Sequence, residues 1–434
     1  MKCWQRRLLK GIVALCAALV ILLAVVIGIF RLFAPLVPGY RAEVERWAER
    51  ALERPVSIAH MGARWDWYGP EITLEDVKLY SADGKYVVVT AHEIRLGVTL
   101  GALLHGTVSA PSRIILIEPQ LSVVRDADGH YSLRGFGGEN GKWQQMDWHD
   151  AVNVAFSQRA EIIVRDGSVT LLDLRRRATP FVFGDLDLKL DNSADSHALS
   201  GGLYLPETFG RTLAFSADVE GQAAHPEAWQ WHGQVEGEGL DVPRLLAYWP
   251  QYRNPFARGV LNLRAELSGN GARLLTVRTH VNARDLKPAD AASHGFSTLS
   301  GDVDWSRLDD GWRVRGRDIL LAQDEVRWPV SHFDLTRRVD AQGESWQGEA
   351  SFLRMQDLDT LLGWLPPMLR DRLQGVVAFA PQGDVSELSG AARWQKDRLA
   401  AWSVQGKFRD LGVRPAHGFP GFSGMDGAIK LDQA

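Results

Sequence analysis

VLNLRAELSG, residues 260–269, decides the fold. Leu261, Leu263, Ala265 and Leu267 alternate with Asn262, Arg264, Glu266 and Ser268. Successive side chains of an extended strand point to opposite faces, so this period of two makes one face apolar and leaves the other to water. VRTHVNA (277–283) continues the pattern through Val277 and Val281. FVFGDLDLKL (181–190) sets Leu186, Leu188 and Leu190 against Asp185, Asp187 and Lys189. LSVVRDADGHYSL (121–133) reads as strand, Asp-Gly turn and strand, and EIIVRDGSVTLLD (161–173) as a second hairpin bent at Asp166 and Gly167. The sequence predicts half-buried antiparallel strands.

Between such strands one helical phrase occurs twice. In GLDVPRLLAYWP (239–250) Asp241 can cap the start, and Val242, Leu245, Leu246 and Trp249 follow i, i+3, i+4, i+7. In QDLDTLLGWLPP (356–367) Asp357 takes the capping place, and Leu358, Leu361, Leu362 and Leu365 form the stripe. The offset is 361 − 245 = 116, and it holds to Gly259-Val260 and Gly375-Val376, where a glycine is expected to open a strand in each copy. A second echo joins ARDLKP (283–288) to FRDLGVRP (408–415). Repetition at this length predicts an array in which each unit packs a short helix against a sheet. No terminal cap closes the last unit, so the chain is expected to be the N-terminal part of a longer protein.

The chain has 434 residues, too many for one ordinary core, and 45% hydrophobic residues, which argues for folded structure. A net charge of −4 argues against a nucleic-acid partner gripped through its phosphates. The two cysteines, Cys3 and Cys16, leave the body without a disulfide framework.

An uncharged apolar run begins at Gly11 and ends at Phe30. Twenty residues at about 1.5 Å each span about 30 Å, the hydrocarbon thickness of a bilayer. Lys2, Arg6, Arg7 and Lys10 precede it without an acid, which places the N-terminus in the cytoplasm and the body across the membrane. Leu32 at the third place back from a cut after Ala34 disfavours a cleaved signal, and Leu15 before Cys16 disfavours a lipoprotein box. Beyond it Tyr40, Val44, Trp47, Ala48 and Ala51 share a helical face up to Pro55. The expected order is a cytoplasmic tail (1–10), a transmembrane anchor (11–33), a juxtamembrane amphipathic helix (34–54) and a β-rich body (55–434).

No catalytic or metal signature stands out. The 12 histidines include no H-E-x-x-H, there is no G-x-S-x-G, and Gly237-Glu238-Gly239 reads as a turn. His197 and His280 read as surface or hydrogen-bonded positions. Trp229, Trp231, Trp305, Trp312 and Trp328 could stack on sugars, but strand aromatics are more often core or interface material. The protein is expected to be no enzyme and to need neither cofactor nor metal.

YRAEVERWAERALERPVSIAHMGARWDWYGPEITLEDVKLY (40–80), IEPQLSVVRDADGHYSLRGF (117–136) and the closing HGFPGFSGMDGAIKLD (417–432) resemble the AsmA-like proteins of Gram-negative envelopes, in the long YhdP branch. The resemblance implies a mainly β chain: an N-terminal transmembrane helix in the inner membrane, then an elongated, twisted antiparallel repeating β-groove with short amphipathic helices in the periplasm. It also implies phospholipid transport toward the outer membrane. On that reading Leu186, Leu188, Leu261, Leu263, Ala265, Leu267, Val277 and Val281 face lipid, and partners in the periplasm or outer membrane stay unidentified. Two other readings stand beside it: an assembly scaffold that conducts no lipid, and a glycan-binding β protein. Alternation alone leaves an open trough and a closed core equivalent, because both bury the same face.

Overall fold

The computed structural model describes residues 34–66, 69–81, 83–97, 111–126, 131–133, 160–175, 179–222, 225–247, 254, 256–289, 295–323, 325–341, 343–364, 375–395, 398–416 and 420–433, with 17, 20, 21, 24–28 and 30–32. Strands dominate, and the chain divides into two compact units, Met1–Leu203 and Tyr204–Ala434.

The apolar segment expected to span the membrane lies largely outside the described residues. Among those described, no single helix is long and apolar enough to cross a membrane; one pair bent by 41°, Ala24–Leu32 with Ala34–Arg50, passes on length and composition.

The first unit opens with a 3-10 turn, Ala34–Tyr40, and helix α1 (Arg41–Leu52), which ends where Glu53 turns left-handed at φ 54°. Val44 and Ala48 of α1 pack on a core of Val56, Ile58, Met61 and Leu74. The Ile58 N–H donates to Glu45 Oε1 at 2.8 Å, and Arg41 donates to the Ala59 carbonyl at 2.9 Å, so charged residues of α1 fix it to the first strands. The expected apolar face of this helix is split: Tyr40 and Trp47 are 60% and 64% exposed.

Strands β1 (Val56–Ser57) and β2 (His60–Asp66) both pair with β3 (Gly69–Tyr80), which pairs with β4 (Val87–Gly97). Strands β5 (Arg113–Ile117) and β6 (Gln120–Arg125) lie between β4 and β8 (Glu161–Asp173), and β6 forms the expected hairpin with β7 (Tyr131–Leu133). Two expectations are corrected here. The 161–173 segment is one continuous strand, because left-handed Asp166 (φ 53°) makes a bulge against β9 (Phe181–Asn192) and not a reversal. That strand runs parallel to β5 and β6, so the sheet is mixed, not wholly antiparallel. Strand β10 (Ser196–Tyr204) pairs with β9.

The second unit is an antiparallel meander. Its strands are β11 (Thr212–Glu220), β12 (Gln230–Asp241), β13 (Phe256–Asn270), β14 (Arg273–Pro288), β15 (Phe296–Leu308), β16 (Gly311–Gln323), a short β17 (Val326–Arg327), β18 (Ser331–Asp340), β19 (Gly343–Arg354), β20 (Gln382–Gln395), β21 (Arg398–Val413) and β22 (Phe422–Gln433). Each pairs with the next, except that β16 pairs with both β17 and β18. Helix α2 (Val242–Leu246) joins β12 to β13, and helix α3 (Leu358–Trp364) lies between β19 and β20. In a meander β12 and β19 run the same way, so both helices stand at one end of the strands. The opposite end carries tight turns, such as that between Asn270 and Arg273.

The helix-bearing end is built with bulges. Asp285, Asp318 and Asp410 sit in the left-handed region at φ 51°, and Gly239 does so at 63°. Each inserts one extra residue, so that Val260 pairs with Arg284 but Arg258 with Lys287. The bulge N–H groups need acceptors off the ladder: Gly239 donates to Asn262 Oδ1 at 2.7 Å, and Asp410 to Asp426 Oδ1 at 2.7 Å. The extra residue also resets the alternation. Asp285 would otherwise follow Ala283 inward; with the bulge Leu286 does, and Ile319 follows Gly316 in the same way beyond Asp318.

Candidate functional site

Cross-strand pairs on one face of a sheet share that face, so the register traces it. Ala217 pairs with Gly233, Gly233 with Leu267, Leu267 with Val277, Val277 with Trp305 and Trp305 with Val314. The row continues through Leu335, Gly348, Gly390 and Val404 to Leu431. Every member is apolar or glycine. Leu431 is exposed, the rest are half-buried, and none is buried. Ten inter-strand steps at about 4.8 Å make a run of about 48 Å.

Toward the helix-bearing end the same face closes. Ala283, Leu286, Phe296, Ile319, Leu321 and Trp328 form a buried cluster, and Phe256, Phe352 and Leu361 of α3 pack against it. Trp328 donates its indole N–H to Asp357 Oδ2 at 2.9 Å, both residues being buried, which ties the start of α3 to the loop before β18. Trp328 is therefore core, not an exposed stacking platform.

The other face is a charged ladder. Glu266 pairs with Arg278, Arg278 with Asp304, Asp304 with Arg315 and Arg315 with Asp334. Arg264 meets Glu236 at 2.5 Å, Arg317 meets Asp304 at 2.7 Å, and His280 Nδ1 lies 2.7 Å from Asp302. Burial by itself would raise the Asp334 carboxyl. Hydrogen bonds and charge from Arg313, then charge and a hydrogen bond from Arg315, hold it below the ordinary 3.8. A hollow of about 460 Å³ opens on this face over small side chains, Ser389, Ala391 and Ser403, walled by Arg313, Asp334 and Lys430. It is polar and ion-paired, which suits water and not acyl chains. Among the described residues no three His, Cys, Asp or Glu are grouped to hold a metal. His197, in the first unit, is 1% exposed and hydrogen-bonds with Asn192 Oδ1 at 3.0 Å, so of the two expected alternatives the hydrogen-bonded one holds and not the surface one.

The residues expected to face lipid fall as follows. Leu261, Leu263, Ala265 and Leu267 of β13 share a face with Val277 and Val281 of β14, for Leu263 pairs with Val281 and Leu267 with Val277. Ala265 is 9% exposed and the other five are half-buried. Leu261 and Val281 pack on the closed cluster, so they belong to the covered half. Leu186 and Leu188 are half-buried in β9, in the other unit.

Both repeated helices are present, over Val242–Leu246 and Leu358–Trp364. Asp241 caps α2, accepting from the Arg244 N–H at 3.0 Å. Val242, Leu245 and Leu246 are half-buried, as are Leu358 and Leu361, while Leu362 is 3% exposed. Trp249 and Leu365 lie outside the described residues. Neither glycine expected to open a strand does so: Gly259 lies inside β13, which begins at Phe256, and Gly375 is in a helical turn, the next strand beginning at Gln382. The recurring R-D-apolar phrase at 284–286, 317–319 and 409–411 marks bulges, a signal the alternation alone passes over.

A mainly β chain with bulged strands and a few short helices agrees with the coarse fold that the AsmA-like resemblance implies. The chain belongs to the YhdP family, matching the description YhdP protein over residues 1–434. No curated protein and no solved structure matches it.

Proposed function

We propose that the chain takes part in phospholipid transport between the two membranes of a Gram-negative envelope. It is anchored in the inner membrane by the segment from Gly11 to Phe30, and acyl chains lie along the apolar face of β11–β22. The carrying observation is the uninterrupted apolar row from Ala217 to Leu431, half-buried or exposed throughout. A sheet face of this kind normally lies against another layer. Acyl chains can serve as that layer, each buried CH₂ contributing about 0.8 kcal/mol. The run of about 48 Å exceeds the roughly 15 Å that one leaflet's chains span, half the hydrocarbon thickness. It therefore fits a lipid that slides along the sheet better than one held in a single pocket. YhdP membership supports the same reading.

A photo-crosslinking residue placed at Leu263 or Leu267 is expected to trap phospholipid in cells, and one at Arg264 or Glu266 to trap none. Absence of adducts at every inward position of a folded chain overturns lipid transport and leaves the assembly scaffold.

A further inference from the structure

The two long borders of the apolar face differ, and the difference orients a lipid. At the helix-bearing border the face is filled by Leu286, Phe296, Ile319 and Trp328 under α3, and little room remains for a polar group. At the tight-turn border it is edged by a row of amphipathic side chains. Arg307 pairs with Trp312, Trp312 with Arg337, Arg337 with Trp346, Trp346 with Ala392, Ala392 with Trp402, and Trp402 with Gln433.

The side chains in this row are held in place. The Trp312 and Trp346 rings meet edge-on with centroids 5.4 Å apart, and the Arg337 guanidinium lies 5.9 Å from the Trp346 ring. Glu344 Oε1 accepts from both Arg337 Nε and Trp346 Nε1 at 2.8 Å. Trp402 donates its indole N–H to Gln433 Oε1 at 2.7 Å. Trp346 is itself buried, at 7% exposed, whereas Trp312 and Trp402 are half-buried and Arg307 is exposed. Such indoles and guanidinium stems cover apolar surface with one end and keep a polar end toward water, the combination found where hydrocarbon meets headgroup.

We infer that the Arg307–Trp312–Arg337–Trp346–Trp402 border is the headgroup rail of the apolar face. It takes the phosphodiester of a phospholipid whose acyl chains point toward the helix-bearing border. The inference rests on the lipid reading above and adds an orientation to it. Arginine supplies planar donors that match phosphate oxygens. Arg307 is exposed, so it can meet the phosphate without first breaking a buried contact. Glu344 beside Arg337 gives the rail a negative group within reach of an amine, which suits a zwitterionic headgroup.

The test uses the full chain mixed with vesicles of phosphatidylethanolamine carrying a diazirine either on the headgroup or at the acyl terminus, with labelled residues mapped by mass spectrometry. The headgroup probe is expected to label the border around Arg307 and Trp312, and the acyl probe the region of Val303 and Phe333. Arg307→Gln should lower headgroup-probe labelling several-fold while leaving labelling by an acyl-terminus diazirine diacylglycerol unchanged. A reversed pattern, equal labelling of both borders, or no effect of Arg307→Gln overturns the orientation while transport stands. No labelling by any probe of a folded chain overturns the lipid reading itself.

Discussion

The apolar face of the second unit has two halves built from the same strands and the same alternation, yet one is a core and the other is open. In β14 Ala283 and Leu286 are 2% and 4% exposed, whereas Val277, on the same strand and face, is only half-buried. The difference lies at the strand ends. At one end the strands carry bulges, long connections and helices, which fold a cluster of apolar side chains back over the sheet; at the other, mostly tight turns leave only single side chains such as Val219 and Trp346 buried. A period of two decides which face is apolar, and the connections decide how much of that face is covered.

The largest expected effect measures that contrast directly. Leu286→Ala, in the closed half, should cost about 2–5 kcal/mol, because packed neighbours cannot collapse into the space it leaves. Leu267→Ala, in the open half, should cost about 1 kcal/mol or less, since its side chain is incompletely removed from water. Urea midpoints of the two variants decide the matter. Equal losses would mean that the second half is also closed, and the trough would then be ordinary core.

This contrast also marks how far the amino-acid sequence could be read. The β class, the inward set of Leu261, Leu263, Ala265 and Leu267, and the Asp241 cap are all visible in local patterns, because alternation and capping act over a few residues. Asp166 makes a bulge and not a hairpin, because Asp-Gly suits both a turn and a left-handed bulge; pairing with β6 and β9 decides between them, and that pairing is non-local. The helix offset of 116 residues is real up to the stripes and fails at Gly375, where a helical turn replaces the strand. The closed cluster could not be foreseen from alternation, since Trp328 comes from the loop before β18 and Leu286 and Ile319 turn inward only beyond bulges. The tight-turn rail needed the register across six strands to bring Arg307, Trp312, Arg337, Trp346 and Trp402 into one row.

An intermediate effect tests the bulges that separate the halves. Asp285 is held at φ 51°, where a side chain branched at Cβ is strained. Asp285→Val should therefore cost about 1–3 kcal/mol. Asp285→Gly should keep the fold at little cost, since glycine takes this conformation freely, although it gives up the ion pair with Arg258 at 2.9 Å. Both are read from denaturation midpoints. If valine is tolerated as well as glycine, the left-handed bulge is not what sets Leu286 inward.

The smallest effect lies on the charged face and appears only in acid. Asp334 accepts from Arg313 Nε at 2.9 Å and from Arg315 Nε at 3.1 Å. Its carboxyl therefore ionises below 3.8 in the folded chain despite the burial that opposes ionisation. A carboxylate with a depressed folded pKa contributes stability that is fully present above its unfolded pKa and lost as pH falls through the folded one. The contribution should be constant from neutrality down to about pH 5 and disappear below about pH 4, given an ordinary Asp value near 3.9. Asp334→Asn removes it, so the variant's urea midpoint should lie below that of the unsubstituted chain at pH 6, and the gap should narrow as the pH falls below about 4. The narrowing is the informative part: a carboxylate that merely filled space would leave the two curves parallel. The lipid-contact half should not share in this, because the row from Leu267 to Val404 has no titrating group. Crosslinking at Leu267 should thus survive Asp334→Asn unchanged, and its loss would show that the charged ladder holds the apolar face in its shape.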